Sequence, residues 1–596
     1  MKKLLVYLKD YKKECVLAPL FKFLEASFEL IVPLVIAAII DVGVSSGDKP
    51  YILRMCLILI ALAVIGLVSA VTAQFYAAKA AVGFSAKLRH ALFAHIESLS
   101  FTEMDTVGTS TLITRMTSDI NQVQNGVNLV LRLFLRSPLI VFGAMIMAFT
   151  IDVKAALIFV VAIPLLSVVV FGIMLISIPL YKKVQAALDK VLGITRENLT
   201  GSRVIRAFNK EQDEIEQFHE SNDALTKIQV YVGKISALMN PLTYVIINVA
   251  TVVLVWTGAI RVNDGIISQG EVVALVNYMS QILVELIKLA NLIININKAV
   301  ACGNRIEVIF EMESSIKENT DTVDKRESDV NDEANQEQET AVNAVEFTHV
   351  CLTYSGAREE ALTDIHFSAE QGETIGIIGG TGSGKSSVVH LIPRFYDVTK
   401  GSVKIHGKDV RDYSLEELRG KVGVVLQKAV LFKGTIRENM QWGNENATDE
   451  EIWKALEIAQ AKEFVETKKG GLDFMVEQGG KNLSGGQRQR LTIARAVVKQ
   501  PDILILDDSA SALDYATDAK LRMAIRGMEQ KATVFIVSQR AASIMHADKI
   551  LVLDDGAIAG MGTHDELLES CEIYREIYDS QFKKEESGKG GVGNEA

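Results

Sequence analysis

GGTGSGKS, residues 379–386, is the most diagnostic stretch of this chain. It matches the pattern G-x-x-x-x-G-K-[ST], in which a glycine-rich turn points backbone N–H groups at phosphates. An apolar strand pattern, ETIGII, leads directly into it, and a helical pattern starts at Ser386. This context of strand, loop and helix predicts an α/β P-loop nucleotide-binding domain. The predicted phosphate-binding residues are Gly379, Thr381, Gly382, Ser383, Gly384, Lys385, Ser386 and Ser387.

Further strand patterns surround this loop and end in polar residues. AVEFTHVCLTY ends at Tyr354 and VGVVLQ at Gln427, while ILILDD ends in Asp507 and Asp508. The last strand pattern, VFIVSQ, ends at Gln539. Between them lies the motif LSGGQ, residues 483–487, at the start of a helical pattern.

The first half of the chain has a different composition, with six long apolar runs. They cover roughly 16–40, 51–77, 129–151, 155–180, 238–262 and 272–297. About 20 helical residues cross a bilayer, so the runs predict an α-helical six-span transmembrane domain. The N-terminus and the segments 78–128 and 181–237 are rich in Lys and Arg, whereas the other connections are short and poor in basic residues. The positive-inside rule then predicts a multi-pass protein of the cell membrane, with both termini and the nucleotide-binding domain in the cytoplasm.

Length and charge divide the chain further. At 596 residues it is too long for one core, and the net charge of −11 is concentrated between Glu311 and Glu339, where eleven acids stand against three bases. We predict a transmembrane domain with coupling loops over 1–310, an acidic flexible linker over 311–343, a nucleotide-binding domain over 344–582 and a disordered tail over 583–596. The acidic balance and the six spans disfavour a soluble nucleic-acid-binding protein, because such proteins need a basic face.

Together these motifs resemble the ATP-binding-cassette (ABC) transporters, and the resemblance covers the whole chain. Six spans before one cassette resemble a half-transporter of the exporter type. The resemblance implies Mg·ATP binding, with Tyr354 stacking on adenine and Lys385 contacting the β- and γ-phosphates. It also implies that Ser386, Gln427 and Asp507 supply oxygens to Mg²⁺, the last through water.

The signature motif implies a second chain. In this family it acts across a dimer, so a partner half-transporter is expected. Donors at a helix start suit an anion, because unpaired N–H groups and the helix dipole point at it. The residues expected to cap the γ-phosphate held by the partner are Ser484, Gly485, Gly486 and Gln487.

Two positions depart from the pattern of the family's hydrolysing sites. Asp508 stands where these sites have Glu, which shortens the side chain by about 1.5 Å. Gln539 stands where they have His. Because a positioned acid–base group contributes about 10²–10⁴-fold in rate, both changes predict a site that binds ATP but turns over little. This pattern resembles the degenerate-site subunit of heterodimeric bacterial multidrug exporters.

The predicted function is therefore export of amphipathic small molecules, lipids or peptides across the bilayer. One alternative is a homodimeric exporter that hydrolyses ATP slowly with Asp508. Another is a nucleotide-gated membrane regulator or channel subunit. Glu285 and Lys288, three residues apart in the sixth span, either neutralise one another or contact the substrate. Candidate coupling loops are Gly108–Asp119 and Glu197–Phe208.

Overall fold

The computed structural model describes residues 3–317, 343–509 and 511–588. The chain divides into two compact units. Unit 1 consists of Met1–Glu97 and Thr109–Met312, and unit 2 consists of Ser98–Gly108 and Glu313–Ala596. The greater part of the predicted acidic linker, residues 318–342, lies outside the described residues.

The described part of the chain before Glu311 is helical. Its α-helices are α1 (Lys12–Ala38), α2 (Lys49–Glu97), α3 (Phe101–Val107), α4 (Thr109–Thr114), α5 (Ile120–Leu133), α6 (Arg136–Ile151), α7 (Val153–Thr200), α8 (Ser202–Ala207), α9 (Glu211–Ala237), α10 (Met239–Asn263) and α11 (Gln269–Phe310). A 3₁₀-helix, Lys3–Tyr11, precedes α1, and π-helical turns cover Ile39–Val44 and Arg115–Asp119.

Six helical runs of unit 1 are long and apolar enough to cross a membrane, as predicted. They are Lys3–Val44, Lys49–Glu97, Thr109–Ile151, Val153–Thr200, Glu211–Asn263 and Gln269–Phe310. Helix α2 has 49 residues and α7 has 48, so each extends about 70 Å, more than twice the thickness of the hydrocarbon layer. The predicted spans 51–77 and 155–180 are therefore parts of longer continuous helices.

Small and polar residues determine how unit 1 packs. Helix α1 packs along α2, where Ala73, Ala77 and Ala80 are fully buried, as expected when small side chains let membrane helices approach closely. Asp152 begins α7 by accepting a hydrogen bond from the backbone N–H of Ala155 at 2.8 Å. Ser268 begins α11 with a capping box to Glu271.

The described residues of unit 2 form three sheets. Their strands are β1 (Val345–Leu352), β2 (Leu362–Ala369), β3 (Thr374–Gly379), β4 (Lys400–Ile405), β5 (Lys408–Asp409), β6 (Val422–Val425), β7 (Gly434–Thr435), β8 (Met475–Val476), β9 (Ile503–Asp507), β10 (Thr533–Val537), β11 (Lys549–Asp554) and β12 (Ala557–Gly562). The central sheet has the order β12-β11-β3-β10-β9-β6 and is parallel except for β12. An antiparallel sheet, β2-β1-β4-β5, and the β7-β8 pair complete the unit.

Helices cover the sheets of unit 2. They are α12 (Lys385–Leu391), α13 (Leu415–Lys421), α14 (Ile436–Gln441), α15 (Asp449–Ile458), α16 (Lys462–Glu466), α17 (Gly485–Val498), α18 (Tyr515–Arg526), α19 (Ala541–Ile544), α20 (His564–Ser570) and α21 (Glu572–Gly588), with 3₁₀ turns at Val410–Asp412, Gly471–Asp473 and Gln478–Gly480. Helix α21 runs into the predicted tail, 583–596, whose residues 589–596 lie outside the described range.

Two apolar cores hold unit 2 together. In one core, Phe347 of β1 stacks on Phe367 of β2 at 4.6 Å between ring centroids, and Phe535 of β10 meets Phe367 edge-on. The other core joins the opposite side of the central sheet to α14, α15, α17 and α21. Every residue of β3 and β9 is buried, which is typical of parallel strands covered on both faces. The predicted fold class, a six-span helical domain followed by an α/β P-loop domain, is confirmed.

Candidate nucleotide-binding site

The phosphate-binding loop lies between β3 and α12, as the sequence predicted. Gly382 and Gly384 have φ angles of 86° and 89°, a region that only glycine enters freely. A side chain at position 384 would also clash with its neighbours, because a Cβ there would lie 2.7 Å from Leu362 Cδ2. The loop therefore needs both glycines to turn back on itself and direct its N–H groups inward.

Lys385 is a buried cation at the centre of this loop. Its ammonium donates to the carbonyl oxygens of Gly379 at 3.0 Å and Gly380 at 2.5 Å, and lies 3.4 Å from the Ser383 hydroxyl. Burial lowers the pKa of Lys385, although Asp508 and Asp507 oppose this effect. A cation held by neutral oxygens in a buried position is well suited to receive an anionic phosphate.

The metal-binding candidates meet beside the loop. The Ser386 hydroxyl donates to Asp507 Oδ1 at 2.9 Å, so the helix after the loop is joined to the end of β9. Asp507 is only 2% exposed. Gln427, just after β6, donates its Nε2 to Asp508 Oδ2 at 3.3 Å. Hydroxyl, carboxylate and amide oxygens are ligands that Mg²⁺ accepts.

Asp508 has an unusual backbone and an altered acidity. Its φ is 45°, in the left-handed region that Asp tolerates better than most residues. Its backbone N–H donates to the Val537 carbonyl at 3.0 Å, which fixes it beside the end of β10. Burial raises the pKa of the Asp508 carboxyl, the hydrogen bond from Gln427 lowers it, and neighbouring Asp507 raises it further.

Tyr354 closes one end of the site. Its hydroxyl donates to the Ser387 hydroxyl at 2.8 Å, and its ring meets Tyr396 edge-on at 5.1 Å between centroids. Burial raises the pKa of the Tyr354 hydroxyl. The aromatic ring is thus held next to the loop, where an adenine could stack on it.

These residues surround one cavity of about 340 Å³. Its predicted lining residues are Tyr354, Thr381, Gly382, Gly384, Lys385, Ser386, Ser387, Gln427, Asp507, Asp508 and Gln539. Gly379 and Ser383 support the wall through Lys385. The volume, the buried cation and the hard oxygen ligands fit a nucleotide phosphate chain with Mg²⁺.

The signature residues lie elsewhere in unit 2. Within the described residues, none of Ser484–Gln487 lines this cavity. Ser484 begins α17 with a capping box: its hydroxyl accepts from the Gln487 N–H at 3.2 Å, and its own N–H donates to Gln487 Oε1 at 3.1 Å. The N–H groups of Gly485 and Gly486 belong to the first turn and have no intrahelical acceptor. Ser484 and Gly485 are exposed, so these donors can face another molecule.

Two features of unit 2 were not predicted from the sequence. His390, four residues after Ser386 on α12, has its Nε2 3.5 Å from Asp507 Oδ2. The second feature is the segment Ser98–Gly108, which contains α3 and belongs to unit 2 although it interrupts unit 1 in the chain. The sequence did contain a signal for α3, because Ser100 and Glu103 form a capping box of the S-x-x-E type.

Aromatic and polar contacts attach this segment. Phe101 packs on Phe395 at 4.6 Å between ring centroids, and the Tyr396 hydroxyl donates to Asp105 Oδ2 at 2.6 Å. Burial raises the pKa of Tyr396, and the hydrogen bond to Asp105 raises it further. Of the predicted coupling loop Gly108–Asp119, only Gly108 lies in unit 2. The other predicted loop, Glu197–Phe208, lies in unit 1, where it comprises the end of α7, Gly201 and the short helix α8.

Fold and site define a membrane protein with a P-loop ATP-binding domain. Two family models match the chain: "ABC transporter transmembrane region" over residues 15–286 and "ABC transporter" over residues 362–511. The chain is 36% identical to the uncharacterized ABC transporter ATP-binding protein YfiB of Bacillus subtilis over 98% of its own length and 100% of that protein. The chain belongs to the ABC transporter family.

Other similar proteins support this assignment. The chain is 33% identical to the putative multidrug export ATP-binding/permease protein YgaD of Bacillus subtilis, with 98% of both chains covered. It is 32% identical to the ATP-dependent lipid A-core flippase of Desulfotalea psychrophila, covering 82% of this chain and 83% of that protein. In fold it matches a bacterial Atm1-family ABC exporter with ATP bound, with a TM-score of 0.75 and 22% identity over 96% of this chain and 98% of that one. The ATP-binding domain implies ATP-coupled transport and ATP binding, normally with Mg²⁺.

Proposed function

We propose that this chain is one half of a heterodimeric exporter whose own ATP site binds nucleotide and rarely cleaves it. The observation that carries the proposal is the position of Asp508 and Gln539 in the wall of the nucleotide cavity. Asp508 is one methylene shorter than Glu, and Gln427 holds its carboxylate at 3.3 Å. A neutral Gln539 side chain cannot supply the charge or proton that an imidazole supplies. ATP would then be hydrolysed mainly at the partner's site, which the signature of this chain completes.

The unaltered signature supports the second half of this proposal. Exposed Ser484 and the first-turn N–H groups of Gly485 and Gly486 would cap the γ-phosphate bound to the partner's loop. The partner's site would hydrolyse and release product, whereas nucleotide at Lys385 would remain bound. Such a persistent ligand biases the opening of the transporter only if it binds the two states with different affinity.

Exposed apolar side chains suggest where the partner binds. At the turn between α7 and α9, Leu199, Val204 and Phe208 are exposed by 60% or more. In unit 2, Phe432 stacks on Trp442 at 4.3 Å between ring centroids, and Trp442 is 67% exposed. Exposed apolar side chains that lie close together are typical of protein–protein contact sites. We assign the turn, 199–208, to docking on the cassette of the partner chain.

The remaining assignments complete the proposal. The transmembrane domain comprises 1–310 and the cassette 344–582, joined by the acidic linker, with both termini and the cassette in the cytoplasm. The segment Ser98–Gly108 would transmit movements of the cassette to the helices that flank it. Substrates would be amphipathic small molecules, lipids or peptides, since relatives carry the names multidrug export protein and lipid A-core flippase.

The test is Mg·ATP turnover by the purified chain alone and together with a candidate partner half-transporter. Each sample is compared with the double variant Asp508→Glu, Gln539→His. We expect almost no turnover by the chain alone, turnover with the partner, and little effect of the double variant in the complex. Robust turnover by the chain alone would instead support the homodimeric exporter. The observation that favours this alternative is the carboxylate of Asp508 beside the phosphate loop. Substrate uptake into vesicles that requires only ATP binding would point to a nucleotide-gated regulator.

A further inference from the structure

Unit 1 contains a polar cavity of about 340 Å³ within the predicted membrane spans. Helices α1, α6 and α11 line it. Its wall combines charged residues, among them Glu29 and Lys288, with the amide of Gln281 and apolar side chains such as Val32 and Ile36. A cavity of this volume, with both polar and apolar walls, is of the size that binds small molecules.

A buried ion network lies behind this wall. Arg136 is 8% exposed and Glu285 is 3% exposed, and the Arg136 guanidinium donates to both Glu285 and Glu29. Glu285 also accepts from the Ser137 hydroxyl at 2.9 Å and from Lys288 at 2.8 Å. Glu285 is therefore fully satisfied within the protein.

The network is balanced in charge. Its carboxylates are Glu25, Glu29 and Glu285, and its cations are Lys22, Arg136 and Lys288. Lys22 and Glu25 pair with each other at 2.5 Å. Because ionisable groups at membrane depth are costly, a neutral network by itself would be a purely structural solution.

The side chains of two members of the network are partly exposed, however. The side chains of Glu29 and Lys288 are 39% and 43% exposed, while those of Arg136 and Glu285 are 9% and 3% exposed. Both line the cavity, as does Gln281, whose buried Oε1 has no hydrogen-bond partner among the described residues. One carboxylate and one ammonium thus remain available to a bound molecule.

We propose that this cavity binds an amphipathic zwitterion as the transported substrate. The substrate's ammonium would contact Glu29, its acidic group would contact Lys288, and its apolar part would lie against Val32 and Ile36. A ligand with a single charge would disturb the balanced network, whereas a zwitterion preserves it. The proposal rests on the exporter function, and its charge pattern is met by two sources: an amino-acid or peptide-like solute and a zwitterionic lipid headgroup.

The test is direct binding without ATP, by the full-length chain in dodecyl maltoside. The probe is Nε-dansyl-lysine, which has an α-ammonium, an α-carboxylate and an apolar fluorophore. Its methyl ester lacks the anion, and its Nα-acetyl derivative lacks the cation. We expect the zwitterion to bind about tenfold more tightly than either derivative, because each derivative loses one charge-assisted contact with the cavity. Equal affinity for the three probes overturns the proposal and requires no variant protein.

Two substitutions then assign each charge. Lys288→Met should make the ester bind as well as the zwitterion, and Glu29→Gln should do the same for the acetyl derivative. The matched controls Lys190→Met and Glu220→Gln change exposed residues of α7 and α9 outside the predicted spans and should leave all affinities unchanged. A tenfold preference that survives both cavity variants would place the probe elsewhere and overturn the proposal.

Competition against the bound probe distinguishes the two possible kinds of zwitterion, a solute and a lipid headgroup. Displacement of the probe by lysophosphatidylethanolamine, and not by unlabelled peptides, supports a lipid headgroup, and the reverse supports a solute. The assay contains no nucleotide and no partner chain. A chain that hydrolyses ATP robustly alone would therefore refute the degenerate-site proposal without affecting this one, and loss of the zwitterion preference would refute only this one.

Discussion

Gln427 donates its side-chain amide to the carboxylate of Asp508, with 3.3 Å between Nε2 and Oδ2. The same residues are candidates for two different tasks, binding Mg²⁺ and positioning water. While this hydrogen bond persists, the oxygen of Asp508 that accepts it is occupied by Gln427. Metal binding by the Gln427 amide oxygen requires the amide to turn, because its NH₂ group now faces Asp508. Binding of Mg²⁺ by Gln427 would therefore break this hydrogen bond and release the carboxylate of Asp508.

Asp508→Asn is expected to stabilise unit 2 at neutral pH. The pKa of Asp508 lies above its usual value because of burial, so the folded site favours the protonated carboxyl over the carboxylate. Ionised Asp508 thus destabilises the fold near pH 7, and this cost decreases as the pH falls through the raised pKa of the folded protein and vanishes below the ordinary pKa of Asp. The melting temperature of the nucleotide-free protein should rise slightly at pH 7.5, and the rise should be smaller near pH 4. Asp554→Asn, at an exposed position of β11, is the control. A lower melting temperature of the Asp508 variant at pH 7.5 would contradict a raised pKa of Asp508 in the folded protein.

Lys385→Met is expected to separate nucleotide binding from stability. Lys385 is buried, and its ammonium donates to carbonyl and hydroxyl oxygens, so without nucleotide its charge is only partly compensated by the nearby carboxylates of Asp507 and Asp508. The variant should lose at least tenfold in affinity for Mg·ATP, since it removes a charge-assisted contact of about 1.5–3 kcal/mol. Its melting temperature without nucleotide should not fall. Thermal shift with and without Mg·ATP measures both effects, and exposed Lys520→Met provides the matched control.

Local patterns predicted much of the fold. The six spans and the strand leading to Gly379 are continuous apolar runs, whose burial depends on composition more than on distant partners. The loop was equally predictable, because the φ angles at Gly382 and Gly384 need glycine whatever surrounds them.

Contacts between distant positions were not predictable from one sequence. Gln427 and Asp508 are 81 residues apart, and Arg136 and Glu285 are 149 apart. The Glu285–Lys288 contact could be predicted from helical spacing. The ion pair between Arg136 and Glu285 could not. The membership of Ser98–Gly108 in unit 2 likewise depends on ring packing between Phe101 and Phe395, for which periodicity contains no signal.

Asp152 is expected to stabilise unit 1 in two separable ways. It caps α7 through the Ala155 N–H and forms a buried ion pair with Arg261. Asp152→Asn keeps a good N-cap and loses only the charge, whereas Asp152→Ala also loses the cap, which is worth about 1 kcal/mol. Melting temperatures in detergent should fall in the order wild type, Asn variant, Ala variant. Equal values for the two variants would exclude the capping role.

Phe101→Ala is expected to uncouple transport from ATP binding. The ring of Phe101 attaches the segment Ser98–Gly108 to Phe395, which is not among the residues that line the nucleotide cavity. Truncating it removes apolar contact area and leaves the phosphate loop intact, so affinity for Mg·ATP should remain within about twofold. Transport into vesicles by the complex should fall by at least tenfold, because movements of the cassette would reach α2 and α4 through a loosened contact.

A control and a second contact make this test specific. Thr106→Ala changes an exposed residue of the same short helix and should leave transport unchanged. Asp105→Asn weakens the hydrogen bond from Tyr396 without removing apolar area, so a smaller loss is expected. If Phe101→Ala instead lowered ATP affinity and transport equally, the segment would be supporting the fold of the cassette. Normal transport by the Phe101 variant would show that other contacts transmit the movement.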